Sequence, residues 1–213
     1  MPVLRRVRLG GEVLNDIGAY RLALKDMLQD RAGTSWEEEE LDSALSLALA
    51  DVSQRVPLSL SGDVILDGGG REVPLASLTG LLWVEEVWWP YEGGSYPPNV
   101  VPFETRNGTV YLYTVVEPAP GDMVHVLYAG EHTIEGLEGA LETTVPGEWL
   151  SMLVTGAAGY AALAKAVSMA REYSWPTGAA RVMSDWGQSM LALFRERLRA
   201  LRPAGVQAWV SWG

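Results

Sequence analysis

Residues 101–128 read VPFETRNGTVYLYTVVEPAPGDMVHVLY, and this stretch decides the class of fold. Asn107-Gly108 readily takes the positive φ angles of a type I′ turn, which predicts a hairpin pairing Val101–Thr105 with Thr109–Val116. Glu117-Pro118-Ala119-Pro120-Gly121-Asp122 then turns the chain back into a strand over Met123–Tyr128. Side chains alternate across a strand, so Val124, Val126 and Tyr128 share one face, and Met123, His125 and Leu127 the other. Both faces are mostly apolar, so both are expected to be covered. Val64–Leu66 and Trp83–Trp89 are further segments rich in β-branched or aromatic residues. Together they predict a small antiparallel sandwich or barrel.

Outward from this stretch the pattern becomes helical on both sides. Asp16–Asp30 carries apolar residues at Ile17, Tyr20, Leu22, Leu24, Met27 and Leu28, and Ala32-Gly33 is the expected end of that helix. Ser35 followed by Glu38 has the spacing of a capping box. The helix it would start runs to about Arg55, before Pro57, with Leu41, Leu45, Ala48 and Val52 on one face. After the strands, Pro146 suits the first turn of a long helix with Glu148 beside it. The small residues Gly156, Ala157, Gly159 and Ala161 on that helix would let another helix approach closely. A last helix is expected over Ala179–Leu201, after a break at Trp175-Pro176. The expected fold is α+β: a helical bundle (1–55 and 130–202) with an inserted small antiparallel β-sandwich or barrel domain (56–129) and an extended C-terminal tail (203–213).

Composition narrows the function classes. The chain has 213 residues and a formal net charge of -11, so as a whole it should repel DNA and anionic lipid. With no cysteine, disulfides, thiol catalysis and Cys-type zinc sites are excluded. Met1–Gly10 is basic and no apolar run follows it, so no signal peptide is expected. Leu150–Met169 is the best candidate for a membrane span, but Lys165 and its many Gly and Ala residues favour a buried helix, and no membrane partner is expected.

The search for chemistry yields little. His125 falls in a strand and His132 just after it, with no metal-binding spacing around either, so a strand-packing and a surface histidine are expected. No GxSxG element surrounds a serine. Gly68-Gly69-Gly70 lacks the GK[ST] ending of a phosphate loop and reads as a flexible hairpin tip. Glu37–Glu40 reads as the first turn of a helix, where the dipole favours carboxylates, rather than as a cation site. Trp88, Trp89 and Tyr91 read as core packing plus a subunit contact, with sugar stacking as the rival. Arg195, Arg199 and Arg202 suit a helix C-terminus and are also possible contacts for a partner or DNA. No catalytic residue, metal or cofactor is expected.

The order of these pieces resembles the head-to-tail adaptor (connector) proteins of tailed bacteriophages. The residues that carry the resemblance are the acidic, Trp-started helix Thr34-Ser35-Trp36-Glu37-Glu38-Glu39-Glu40-Leu41-Asp42-Ser43-Ala44-Leu45 and its ending Ala50-Asp51-Val52-Ser53 before Pro57. They continue in the turn and strand Pro118–Tyr128, the linker His132-Thr133-Ile134-Glu135-Gly136-Leu137, and Val145-Pro146-Gly147-Glu148-Trp149-Leu150 through Thr155-Gly156-Ala157-Ala158. The resemblance covers about Arg6 to Ala170; nothing beyond Trp175 matches.

The resemblance implies a structural virion protein and no enzyme. It implies a homo-oligomeric ring, commonly a dodecamer, that sits beneath the portal in the virion neck after assembly in the host cytoplasm. Such a ring extends the DNA channel, so packaged DNA passes with at most weak contact, and it connects the capsid to a downstream neck or tail protein. Within that picture Gly156, Ala157, Gly159, Ala161, Trp88 and Trp89 are candidates for subunit packing, and Val206, Trp209, Val210 and Trp212 for a portal-docking tail. Rival readings are another neck or tail ring protein, such as a tail terminator or completion protein, a Trp-rich carbohydrate-binding module, and a hydrolase.

Overall fold

The computed structural model describes residues 16–91, 97–171, 176 and 178–201. Its elements are the helices α1 (Ile17–Met27) and α2 (Glu38–Arg55), then six strands, then the helices α3 (Leu150–Arg171) and α4 (Ala179–Ala200). The strands are β1 (Leu58–Ile65), β2 (Glu72–Pro74), β3 (Leu81–Trp88), β4 (Phe103–Arg106), β5 (Thr109–Leu112) and β6 (Met123–Gly130). The fold is α+β, with strands inserted between helices. Contacts divide the chain into two units, Met1–Leu49 with Thr133–Arg197 and Ala50–His132 with Leu198–Gly213.

In the first unit α1 is capped by Asp16, whose side chain accepts from the Ala19 amide. Tyr20 and Leu24, one turn apart, are fully buried, whereas Leu22 points to the opposite face and is exposed. The helix ends at Met27, short of the expected stop at Ala32-Gly33. Gln29 takes a left-handed φ of 58°, and the Asp30 and Gln29 amides donate to the Lys25 and Asp26 carbonyls. This is a Schellman ending with Gln in the place glycine usually holds. Arg21 then joins α1 to α2: its Nε and Nη2 donate to the two carboxylate oxygens of Asp42 at 2.7 and 2.6 Å, and its Nη1 reaches Glu38 at 2.6 Å.

The start of α2 also departs from expectation. No Ser35–Glu38 capping box forms. The Asp30 carboxylate instead accepts the backbone N–H groups of Thr34, Ser35 and Trp36, and α2 begins two residues later than the box would place it. Burial of Asp30 raises its affinity for the proton, but these amides and the Thr34 hydroxyl outweigh that and hold the carboxyl below its ordinary range. The Glu37 amide donates to Glu40 Oε2, which is the reciprocal half of a capping box shifted by two residues.

The long apolar helix α3 follows a short 3₁₀ turn at Gly147–Trp149. It is the one helix among the described residues with the length and composition of a membrane span, and 61% of its most apolar window is buried inside the protein. The small residues explain how: a Cβ on Gly156 would lie 2.9 Å from the Phe194 ring, and one on Gly159 2.7 Å from Leu191 of α4. The close approach expected of the small residues is made, at Gly156 and Gly159, by a helix of the same chain. Gly156, Ala157, Gly159 and Ala161 are all buried within the chain.

The second unit is built on two three-stranded antiparallel sheets, ordered β1-β6-β3 and β2-β5-β4. They share one core: Val64, Val87, Val124, Val126 and Tyr128 come from the first sheet, and Val73, Val110 and Leu112 from the second. No barrel closes. The predicted hairpin is present, with Arg106 paired to Thr109 and Asn107 and Gly108 at φ of 49° and 73°. Strand β5 ends at Leu112, short of Val116, and Val115 and Val116 are exposed. Two strands exceed or escape the sequence pattern. β1 runs over eight residues where Val64–Leu66 was expected, and β2 is three residues long. Gly68-Gly69-Gly70 is not a free tip, because the Gly69 amide donates to the Leu66 carbonyl and the Gly70 amide to that of Pro118.

Candidate functional site

The central strand β6 sorts its side chains as the alternation predicts, but its two faces have different fates. Val124, Val126 and Tyr128 point into the core, at 5% exposure or less. Met123, His125 and Leu127 are intermediate in exposure, so within the chain the second face is covered only in part. Cross-strand pairs place Ile65 beside Met123, Asp63 and Trp88 beside His125, and Ser61 and Glu86 beside Leu127. Ile65 is 60% exposed. The outer face of the β1-β6-β3 sheet is thus an open surface of apolar, aromatic and acidic side chains.

His125 is the centre of that surface. Its Nδ1 lies 2.6 Å from Asp63 Oδ1. Its ring stacks on Tyr91 with centroids 4.5 Å apart, and the Trp88 ring lies at 5.0 Å. Trp88 Nε1 donates to Glu86 Oε2 at 2.9 Å, which fixes the indole. The His125–Asp63 pair has two parts of a hydrolytic triad, but no Ser or Thr hydroxyl bonds to the imidazole among the described residues. The arrangement offers aromatic rings and a carboxylate for binding by stacking and charge. Trp89, its neighbour, turns inward: it is 9% exposed, and its Nε1 reaches Asp122 Oδ2 at 3.2 Å.

His132 was expected at the surface and is buried. Its amide donates to Ser53 Oγ at 2.9 Å, and its Nε2 lies 2.9 Å from the Val56 carbonyl. The residue ties the end of the sheet to the end of α2, and its proximity to His125 in sequence brings the two side chains into no shared site. A family scan finds no matching model, and a search of curated proteins finds no significant relative.

The remaining candidates are placed as follows. Among the described residues no group of His, Asp and Glu has the clustering of a metal site. The Glu37–Glu40 run is held by cations of its own unit. Arg21 and Lys25 approach Glu38, and Lys165 approaches Glu40 at 3.7 Å while its Nζ sits 5.2 Å above the Trp36 ring. Arg195 and Arg199 are exposed on α4 with Arg197, and none of the three forms an ion pair among the described residues. Arg202 and the tail residues Val206, Trp209, Val210 and Trp212 lie outside the described residues. Sequence reasoning missed Asp63 and Glu86 as members of the surface, since their neighbours come from strands far apart in the chain.

Proposed function

We propose that the protein is a structural component of a tailed-phage virion, a head-to-tail adaptor that forms a ring beneath the portal, extends the DNA channel and carries the next neck or tail component. The observation that carries this reading is the open outer face of β1-β6-β3. A sheet face bearing Ile65, Met123, Trp88, Tyr91 and Leu127 needs a macromolecular cover, and a repeated subunit supplies one. The arrangement of helices around an inserted β domain is compatible with the resemblance to the adaptors, and the acidic balance suits a channel through which DNA slides without sticking. On this reading the protein catalyses nothing, binds no cofactor and resides in the virion neck.

Native mass measurement of the full-length protein, alone and on portal-bearing heads, together with imaging of virion necks, tests the proposal. A closed ring, twelve-fold by analogy with the adaptors, is the expected result. A protein that stays monomeric under both conditions, or that is found in the capsid shell or a tail fibre, overturns it.

The cluster of Trp88, Tyr91 and His125 rings at the sheet surface favours one rival, a carbohydrate-binding module, because sugar rings bind on aromatic faces. Glycan-array binding that is lost in Trp88→Ala, in a protein that does not assemble, would establish that reading instead.

A further inference from the structure

We infer that the outer face of the β1-β6-β3 sheet receives the arginine-bearing end of α4 from a second copy of this chain; the inference rests on the ring reading and names the two surfaces that would build it. The sheet face is acidic as well as apolar. Asp63 and Glu86 are the charged side chains that share it with Trp88, Tyr91, His125 and Ile65. Asp63 is engaged by His125 and Glu86 by Trp88, and a carboxylate can accept from more than one donor.

The complement is on α4. In a chain with 16 cations against 27 acidic groups, Arg195 and Arg199 occupy exposed positions on one face of α4 with no acidic partner among the described residues, and Arg197 is exposed on another face. Arg195 and Arg199 are one turn apart and so project together. Arg55 lies beside Arg199, its Nη2 3.4 Å from the Arg199 carbonyl. Leu193, 37% exposed, and the exposed Ala192 and Ala200 give this end of the helix an apolar share. A guanidinium fits the sheet face twice over, as a fork for Asp63 or Glu86 and as a flat cation on the Trp88 and Tyr91 rings. Nucleic acid would satisfy the arginines but would be repelled by the acidic face, whereas a second copy satisfies both surfaces at once.

The two surfaces are different, so the contact is head-to-tail. A contact of that type closes into a ring or runs on as a filament, and does not stop at a two-fold dimer.

Charge reversal of the full-length protein tests the contact. One variant carries Asp63→Arg with Glu86→Arg, the other Arg195→Glu with Arg199→Glu. Each alone should weaken self-association about tenfold or more, as loss and reversal of interfacial charge pairs do. An equimolar mixture should assemble again, because each reversed surface then meets a reversed partner. Ile65→Arg, at an exposed position, replaces the first variant if that one fails to fold by circular dichroism. A wild-type ring whose variants assemble unchanged, or folded variants whose mixture does not recover, overturns this contact and leaves the ring reading standing. Variants of α4 that keep self-association but lose portal or DNA binding also overturn it. A wild-type chain that never assembles, alone or on portal-bearing heads, overturns both.

Discussion

The backbones of Gly159 in α3 and Gly187 in α4 meet: a Cβ on Gly187 would stand 3.0 Å from the Gly159 carbonyl oxygen, and one on Gly159 the same distance from the Gly187 carbonyl oxygen. Here two helices touch through main chain, a separation that side chains of ordinary size do not permit. The pair explains why an 18-residue apolar window can be core rather than membrane span, since its small residues are filled by Phe194 and Leu191.

Gly159→Leu is therefore expected to force α3 and α4 apart and to cost about 3 kcal/mol, the upper range for overpacking a filled core. Gly159→Ala meets the same atoms with a smaller side chain and should cost less. Urea denaturation of the two variants checks the order. Equal stability of Gly159→Leu and the wild type would show that the helices do not pack here.

Gln29 occupies the left-handed position that ends α1, with φ 58°. A left-handed conformation costs an ordinary L residue about 1 kcal/mol relative to glycine. Gln29→Gly should accordingly stabilise the protein, by up to about 1 kcal/mol less the entropy that glycine gains in the unfolded chain. The measurement is the thermal midpoint, which should rise; a fall would mean that the Gln29 side chain makes a contact worth more than the strain.

Asp30 makes a prediction with a pH signature. Its carboxyl is held below the ordinary range, with the amides of Thr34, Ser35 and Trp36 outweighing the effect of burial. A lowered folded-state pKa means that the ionised form stabilises the fold above the unfolded-state value, and that this contribution is lost as the pH falls through the folded-state value. Asp30→Asn should thus be less stable than the wild type at neutral pH. The gap should narrow once the pH drops below the ordinary aspartate value of about 3.9. Denaturation at both pH values checks the sign, and a gap that widens in acid would contradict it.

These positions also mark how far the sequence could be read. The Asn107-Gly108 hairpin and the buried stripe Leu41, Leu45, Ala48 and Val52 depend on local chemistry and on period, and both were legible. The end of α1 was not, because Gln29 carries no signature of a left-handed residue and Gly33 does. The cap at Asp30 was hidden because its partners lie four to six residues downstream, while Ser35 and Glu38 offered the more familiar spacing. The candidate surface was half legible. Period two placed His125 opposite Val124 and Val126, but Asp63, Glu86 and Trp88 reach it only through a strand order, β1-β6-β3, that no local pattern encodes.

The two histidines differ in what their loss should cost. His132 is 6% exposed and lies between two polar groups that a buried position must satisfy. The Val56 carbonyl only accepts, so Nε2 carries the hydrogen and donates. His132→Ala leaves that carbonyl without its donor and opens a cavity beside it, which together should cost about 2–4 kcal/mol. His132→Gln keeps a donor and should recover part of the loss. His125 lies at the sheet surface, covered in part by Trp88 and Tyr91, so His125→Ala should lower stability by less, on the order of 1 kcal/mol, through lost stacking on Tyr91. If the protein is a ring-former, both variants should assemble at temperatures where they remain folded, with any defect of His132→Ala following its melting curve. A His132→Ala protein as stable as the wild type would contradict the burial, and a folded, assembled His125→Ala particle that cannot infect would point to a chemical role for His125.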